Sequence, residues 1–361
     1  MVCFIIPNFI IYNEVMTSLT YVAHISRRII KYGGVGLGGL VVIWWIGGLA
    51  VKAYLAAHPP YVPPTVRFQI LPKIVFPDKK FERKEFSLEL PNDTYPKFKD
   101  QAKVYVIYRS KSVIGELEAA KKTAALMGFR KEPTEIKTGI YEFADSLTNR
   151  TLTMNVLSGN FKLNYPYLAD QLLLNPDEMP DKAGAVSVAK SFLQQAGKMY
   201  PDLEEGESKI SYWKIAFGGL KETPGLNDAN LVRVDFFRKK LDGDQEMVTD
   251  DLSKASVSVL VSGSSLAAKK IVEVEYKYIN VDVSAPSTYP IKTPEAAYED
   301  LKMGYYWPAK DSEAKSTVIR KVTLAYFEPV TPAQFLQPVY VFGGDGGFTA
   351  YVPAVTDKWV Q

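Results

Sequence analysis

From Tyr32 to Val51 the chain runs for twenty residues without a charge, with Leu40-Val41-Val42-Ile43-Trp44-Trp45-Ile46 at its centre. As an α-helix rising 1.5 Å per residue, such a stretch measures about 30 Å, the thickness of a bilayer's hydrocarbon core. A buried helix of a soluble protein is disfavoured, because seven glycines stand between Gly33 and Gly48. Each costs a helix in water about 1 kcal/mol relative to alanine. The competing reading is a signal peptide cleaved after Leu55-Ala56-Ala57, but the apolar stretch is longer than a signal core and Lys52 interrupts the approach to that site. The expectation is one uncleaved transmembrane anchor over residues 32–57.

Arg27, Arg28 and Lys31 precede the stretch, while Lys52 is the only cation close behind it. The positive-inside tendency then makes residues 1–31 a cytoplasmic tail and places the bulk of the chain outside. Gly34 and Gly38 have the spacing that lets two membrane helices approach closely, so both are candidate partner-binding residues. Met16 is an alternative start, and nothing is built on Cys3. Residues 58–64, with four prolines, form an extended stalk of about 20 Å.

Beyond the stalk, a net charge of +3 from 43 basic and 40 acidic residues gives no bias toward nucleic acid. Cys3 is the only cysteine, so no intramolecular disulfide forms. The two histidines, His24 and His58, flank the apolar stretch, and none lies from Pro59 to Gln361. A Ser-His or Cys-His nucleophilic site and a His-rich metal site are thereby excluded from the folded part. Chemistry by carboxylates alone remains open, with Asp242, Asp244, Asp250 and Asp251 as the acids to consider. Asp242-Gly243-Asp244 reads as a solvated hairpin turn, and Gly343-Gly344-Asp345-Gly346-Gly347 as another, because no Lys-Ser/Thr and no helix follow it. The basic clusters Lys79-Lys80, Arg83-Lys84 and Arg238-Lys239-Lys240 read as solvated strand edges. No catalytic residue, metal or cofactor is expected.

Apolar residues at period two mark strands at Val66 to Val75, Phe86 to Leu90 and Val104 to Tyr108. Helical spacing marks Val113 to Met127, ended by Gly128, and Val186 to Tyr200. A third helix opens at Thr293-Pro294-Glu295 and stops at Gly304, with Thr293 as N-cap. Strand patterns follow each helix. The expected fold is α+β: a transmembrane helix, then helix-plus-antiparallel-sheet units over 65–170, 171–285 and 286–361.

The last unit carries Thr293-Pro294-Glu295-Ala296-Ala297-Tyr298-x-x-Leu301, Val322-Thr323-Leu324-Ala325-Tyr326, Leu336-Gln337-Pro338-Val339-Tyr340-Val341-Phe342-Gly343-Gly344 and Ala350-Tyr351-Val352-Pro353-Ala354-Val355. This stretch of about seventy residues resembles a PepSY-like module. It is similar to those of YycH and YycI, single-pass extracytoplasmic regulators of a bacterial cell-wall histidine kinase. The resemblance implies bacterial origin and a non-catalytic ectodomain that binds or restrains a membrane partner, with the anchor helix taking part. Tyr305, Tyr306 and Trp307, with Tyr326 and Tyr340, are the aromatic candidates for a partner groove, since Tyr and Trp dominate binding hot spots; core packing is the competing reading. The rival functions are an acid-only cell-wall or carbohydrate enzyme and a scaffold subunit of an envelope assembly.

Overall fold

The computed structural model describes residues 19–57, 61–108, 113–174, 178–251, 255–329 and 331–361. The chain divides into two compact units, Met1–Pro63 and Pro64–Gln361. Among the described residues the first unit is a single helix, α1 (Leu19–Ala57). Its stretch Val22–Ala57 is long and apolar enough to cross a membrane, and every side chain described along it is exposed. At 39 residues the helix is about 58 Å long, nearly twice a hydrocarbon core. It therefore runs on through Arg27, Arg28 and Lys31 at one end and Lys52 at the other. Cys3, Met16 and residues 58–60 of the proline-rich segment lie outside the described residues, while Tyr61 to Pro64 has no regular structure.

The second unit is mixed α+β. An irregular segment, 64–84, leads into β1 (Glu85–Leu88) and β2 (Gln101–Ile107). Helix α2 (Val113–Leu126) precedes β3 (Thr134–Lys137), β4 (Ile140–Asp145), β5 (Arg150–Asn155) and β6 (Phe161–Asn164). Then come α3 (Lys182–Gln195), the single turn α4 (Pro201–Glu204), β7 (Ser208–Ala216), β8 (Gly219–Thr223) and β9 (Leu231–Phe236). The chain continues through β10 (Met247–Val248), β11 (Val257–Ser262), α5 (Ala267–Lys270), β12 (Ile271–Tyr276) and β13 (Val281–Pro290). It ends with α6 (Pro294–Met303), β14 (Trp307–Lys310), β15 (Ser316–Phe327), β16 (Phe335–Gly344) and β17 (Thr349–Pro353).

These strands form two sheets. One has nine strands, all antiparallel, in the order β3-β4-β5-β6-β12-β11-β9-β7-β8. The other has eight: β1-β15-β16-β17-β14 in a row, β10 beside β15, and β2 joining β16 to β13. Strands β1 and β10 run parallel to β15. The helix-then-sheet order seen in the sequence is present, but the strands before α2 do not pair with those after it. Glu85 stands opposite Ser316 and Ala102 opposite Tyr289, so β1 and β2 complete the sheet made by the carboxy-terminal strands. Period two tells that a segment is a strand and which face it buries, not which distant strand it meets.

Each sheet buries a helix-covered face. In α3, Ala185, Ala189 and Leu193 recur at four-residue spacing and are fully buried; the small alanines let the helix lie close against β9 and β11. The opposite face of this sheet is also covered, by Tyr165, Tyr167 and Leu173 packed on Leu231, Leu260 and Val272. That is why β11 is buried along its whole length. On the other sheet, α6 begins as expected, with the Thr293 hydroxyl accepting from the Ala296 amide, and ends at Gly304 with φ 91°. It sets Ala297, Tyr298 and Leu301 among Tyr340, Phe342 and Val352.

Residues 66–75 are not the expected strand. Val66 and Gln69 take positive φ, and only Leu71 bridges a strand-like partner, Val360. The alternating apolar residues serve packing instead: Leu71 joins Val104, Tyr289 and Val355, and Ile74 and Phe76 join Trp307 and Phe327.

Candidate functional site

Gly34 and Gly38 lie on α1 with nothing within 4 Å of where a Cβ would stand. The aromatic candidates do not form one groove. Trp307 stacks on Phe76 at 5.6 Å and donates from Nε1 to the Pro77 carbonyl at 2.8 Å. Tyr306 packs with Phe86 and Phe348. The Tyr340 hydroxyl donates to the Lys292 carbonyl at 2.6 Å. All of these and Tyr326 are buried, in three different packing clusters, and only Tyr305 is exposed, at 69%.

Asp242 does sit in a tight, exposed turn, since Leu241 and Gln245 bridge across it, but its side chain is only 15% exposed. Its carboxylate accepts from Tyr326 Oη at 2.6 Å, Tyr105 Oη at 2.9 Å and Lys103 Nζ at 2.5 Å. Burial pulls its pKa upward, yet hydrogen bonds from Lys103, Tyr326 and Tyr105 outweigh that and hold it below the ordinary carboxylate range. An acid so held stays ionised, the opposite of what a general acid requires.

Two basic clusters also depart from the solvated-edge reading. The Arg238 side chain is 4% exposed, with Nε on Asp202 at 2.6 Å and Nη1 on Glu328 at 2.7 Å and on the Ile279 carbonyl at 2.9 Å. Its guanidinium lies 4.3 Å from the Tyr278 ring centroid. Asp202 belongs to α4 and Glu328 follows β15, so the arginine ties the helix beside one sheet to a strand of the other. Lys84 Nζ donates to the Ser312 and Ala314 carbonyls, both at 2.6 Å, and anchors the loop before β15. Buried cations are kept where such partners satisfy them; Lys239 and Lys240 beside Arg238 remain about half exposed or more.

Near Arg238 a cleft of about 350 Å³ opens beside the passage from β12 to β13. Its walls include Asn155, Asn160, Lys198, Tyr200, Tyr276 and Tyr278. Gly197, at φ 66°, ends the α3 turn, and the Lys198 amide donates to the Leu193 carbonyl at 2.7 Å. The Lys198 carbonyl accepts from Tyr276 Oη at 3.0 Å. Its Nζ reaches the Gly159 carbonyl at 3.3 Å and lies 5.7 Å from the Tyr276 ring centroid. Burial lowers the pKa of this amine, partly offset by the charge of Glu116. Tyr200 and Tyr278 stack at 4.6 Å, and Tyr276 stacks on Phe161 at 4.9 Å. The turn opposite is fixed by Asn155, whose Oδ1 accepts from the Leu157 and Ser158 amides, and by Asn160, whose Oδ1 accepts from the Tyr278 amide.

Sequence reasoning extended the second helix through Tyr200 and so missed this lysine. Gly197 was the available signal for an earlier stop, and Tyr276-Lys277-Tyr278 the signal for two rings on one strand face. Among the described residues, no group of three or more His, Cys, Asp or Glu side chains is placed to hold a metal ion.

No family model matches the sequence, and no curated protein does. Among solved structures, an uncharacterized protein from Eubacterium rectale aligns with 74% of this chain and 86% of its own, at 11% identity and a TM-score of 0.39. The carboxy-terminal domain of Bacillus megaterium YpeB aligns with 66% of this chain and 92% of its own, at 13% identity and a TM-score of 0.30. At these scores neither likeness assigns a family.

Proposed function

We propose that this chain is a single-pass membrane protein with a PepSY-like α+β domain outside the cytoplasm, and that it works by binding and regulating a membrane or envelope protein. The observation that carries the reading is α1. Its apolar side chains, Trp44 at 80% and Trp45 at 65% exposure among them, are exposed along the described helix. An apolar helix of this length is satisfied by lipid or by another helix. The open stripe at Gly34 and Gly38 gives a second helix room to approach. The cations Arg27, Arg28 and Lys31 support a cytoplasmic amino terminus.

The folded unit supports binding over catalysis. Asp242, one of the four acids considered from the sequence, is tied to three donors, and Arg238 pairs with both Asp202 and Glu328. The test is crosslinking of the full chain in native membranes, read by mass spectrometry, against a variant whose span is replaced by polyleucine. A protein captured by the native span and lost with polyleucine is the expected result. Capture of nothing by either form overturns the proposal.

A further inference from the structure

We propose that the cleft at Lys198 is a binding site for a small organic anion, a carboxylate carried on a flat apolar body. This goes beyond partner binding through the anchor and stands on the cleft alone. Among the described residues lining it there is one cation, with amides, hydroxyls and ring faces, and no carboxylate. An ammonium has three N–H bonds, and among the described residues Lys198 Nζ has one hydrogen bond, the long one to the Gly159 carbonyl, 3.3 Å. Beyond the charge of Glu116, this partly buried ammonium gains from an anion that brings a closer counter-charge and short hydrogen bonds.

The amine is seated before any ligand arrives. Its backbone is fixed on both sides by Leu193 and Tyr276. A Cβ at position 159 would lie 3.0 Å from Nζ, and Gly159 has φ 72°, so glycine both makes the turn and leaves the amine its place. The oxygens of Asn155 and Asn160 are committed to backbone amides, which leaves their NH₂ groups as donors rather than acceptors.

The body of the ligand follows from the walls. Tyr200 stacks on Tyr278 and Tyr276 on Phe161, while Tyr276 and Tyr278 are tilted by 32°, so the cleft has an aromatic wall against which a flat ring can pack edge-to-face. A volume of about 350 Å³ is near the small end for ligand sites, the size of a blocked amino acid rather than of a lipid or a glycan. A carboxylate is favoured over a phosphate because a single amine faces the space, and because it follows the carboxy-terminal end of α3, whose partial negative charge opposes a dianion.

The test uses the full chain in detergent and titrates N-acetyl-L-phenylalanine, its amide and phenyl phosphate by calorimetry. The acid is expected to bind with the amide at least about tenfold weaker, the cost of one charge-assisted hydrogen bond. Lys198→Met is expected to remove that preference and Lys198→Arg to keep it. If the thermal midpoint of Lys198→Met falls, Tyr200→Leu is used: it keeps the amine and is expected to weaken acid and amide alike. Equal binding of acid and amide, or no binding at about 10 mM, well into the weak range, overturns the site. Tighter binding of phenyl phosphate than of the acid overturns the assignment to a carboxylate.

Discussion

At the scale of single residues, the polar groups that matter most in the folded unit are those whose charged ends are held by side-chain partners. Asp242 accepts from three side chains, and it has φ 51°, a conformation that asparagine tolerates as well as aspartate. Asp242→Asn therefore tests the charge without disturbing the backbone. Its amide oxygen can still accept, but its NH₂ meets donors, and the expected loss is about 2 kcal/mol in urea unfolding at neutral pH. The sign of the pH effect follows from a pKa held below its ordinary 3.8. The charged form is favoured in the fold, so its contribution is present above about pH 4 and fades as pH falls through the lower, folded value. The wild type should lose stability below pH 4 more steeply than the variant. Glu328, 6% exposed and bound to Arg238, makes a sharper case. Glu328→Gln leaves the buried guanidinium with Asp202 as its remaining counter-charge and is expected to cost about 2 kcal/mol. Arg238→Met with Glu328→Leu removes the buried pair but leaves Asp202, 28% exposed, with Tyr278 and solvent, so it should recover part of that loss. Urea midpoints of the single and double variants decide it.

At the scale of elements, the tightest passage is the approach of Gly206 to the end of β9. A Cβ there would lie 1.9 Å from the Phe237 carbonyl oxygen, a backbone atom that cannot swing aside. The Phe237 amide donates to the Glu207 carbonyl at 2.8 Å, and the ladder opens one step on with Ser208 opposite Phe236. Gly206→Ala must push β7 from β9 at the start of their register, at a cost of about 3 kcal/mol or more, measurable by the same unfolding experiment. Nothing in the sequence marks Gly206, because the clash is with Phe237, far along the chain. What the sequence does mark is local chemistry. Thr293, Pro294 and Gly304 bound α6 as expected, Gly128 follows α2 with φ 94°, and Gly346 and Gly347 make the turn between β16 and β17, while Gly343 and Gly344 belong to β16. Segment 66–75 misled because alternating apolar residues look the same whether they pair in a ladder or fill two cores from an irregular path. The cleft at Lys198 was hidden for the same reason as Gly206: its lysine, its turn at 155–160 and its tyrosines meet only through long-range pairing.

At the scale of the whole folded unit, the two sheets differ in how they are cut from the chain, and this has a consequence for folding. All nine strands of the larger sheet lie between Thr134 and Tyr276, with α2 and α3, which cover it, in or just before the same stretch. The smaller sheet takes β1 and β2 from before that stretch, β10 from within it, and the rest from after it. The carboxy-terminal stretch that resembles a known module is therefore a sheet with its edges missing. Strand β15 without β1 and β10 exposes one long side, and Leu336 and Phe335 lose β2. Its core also loses Leu90, Ala102, Phe86 and Leu88. An open edge beside an exposed apolar face favours association over folding. A fragment of residues 286–361 is accordingly expected to show no cooperative thermal transition and to aggregate, whereas residues 113–280 should give a dispersed NMR spectrum and a single melt. The surface that residues 113–280 would newly expose, around Arg238 without Glu328, predicts a melt below that of the full unit but still sharp. If instead 286–361 folds alone and 113–280 does not, the carboxy-terminal module is autonomous, and β1 and β2 are additions to it rather than parts of its sheet.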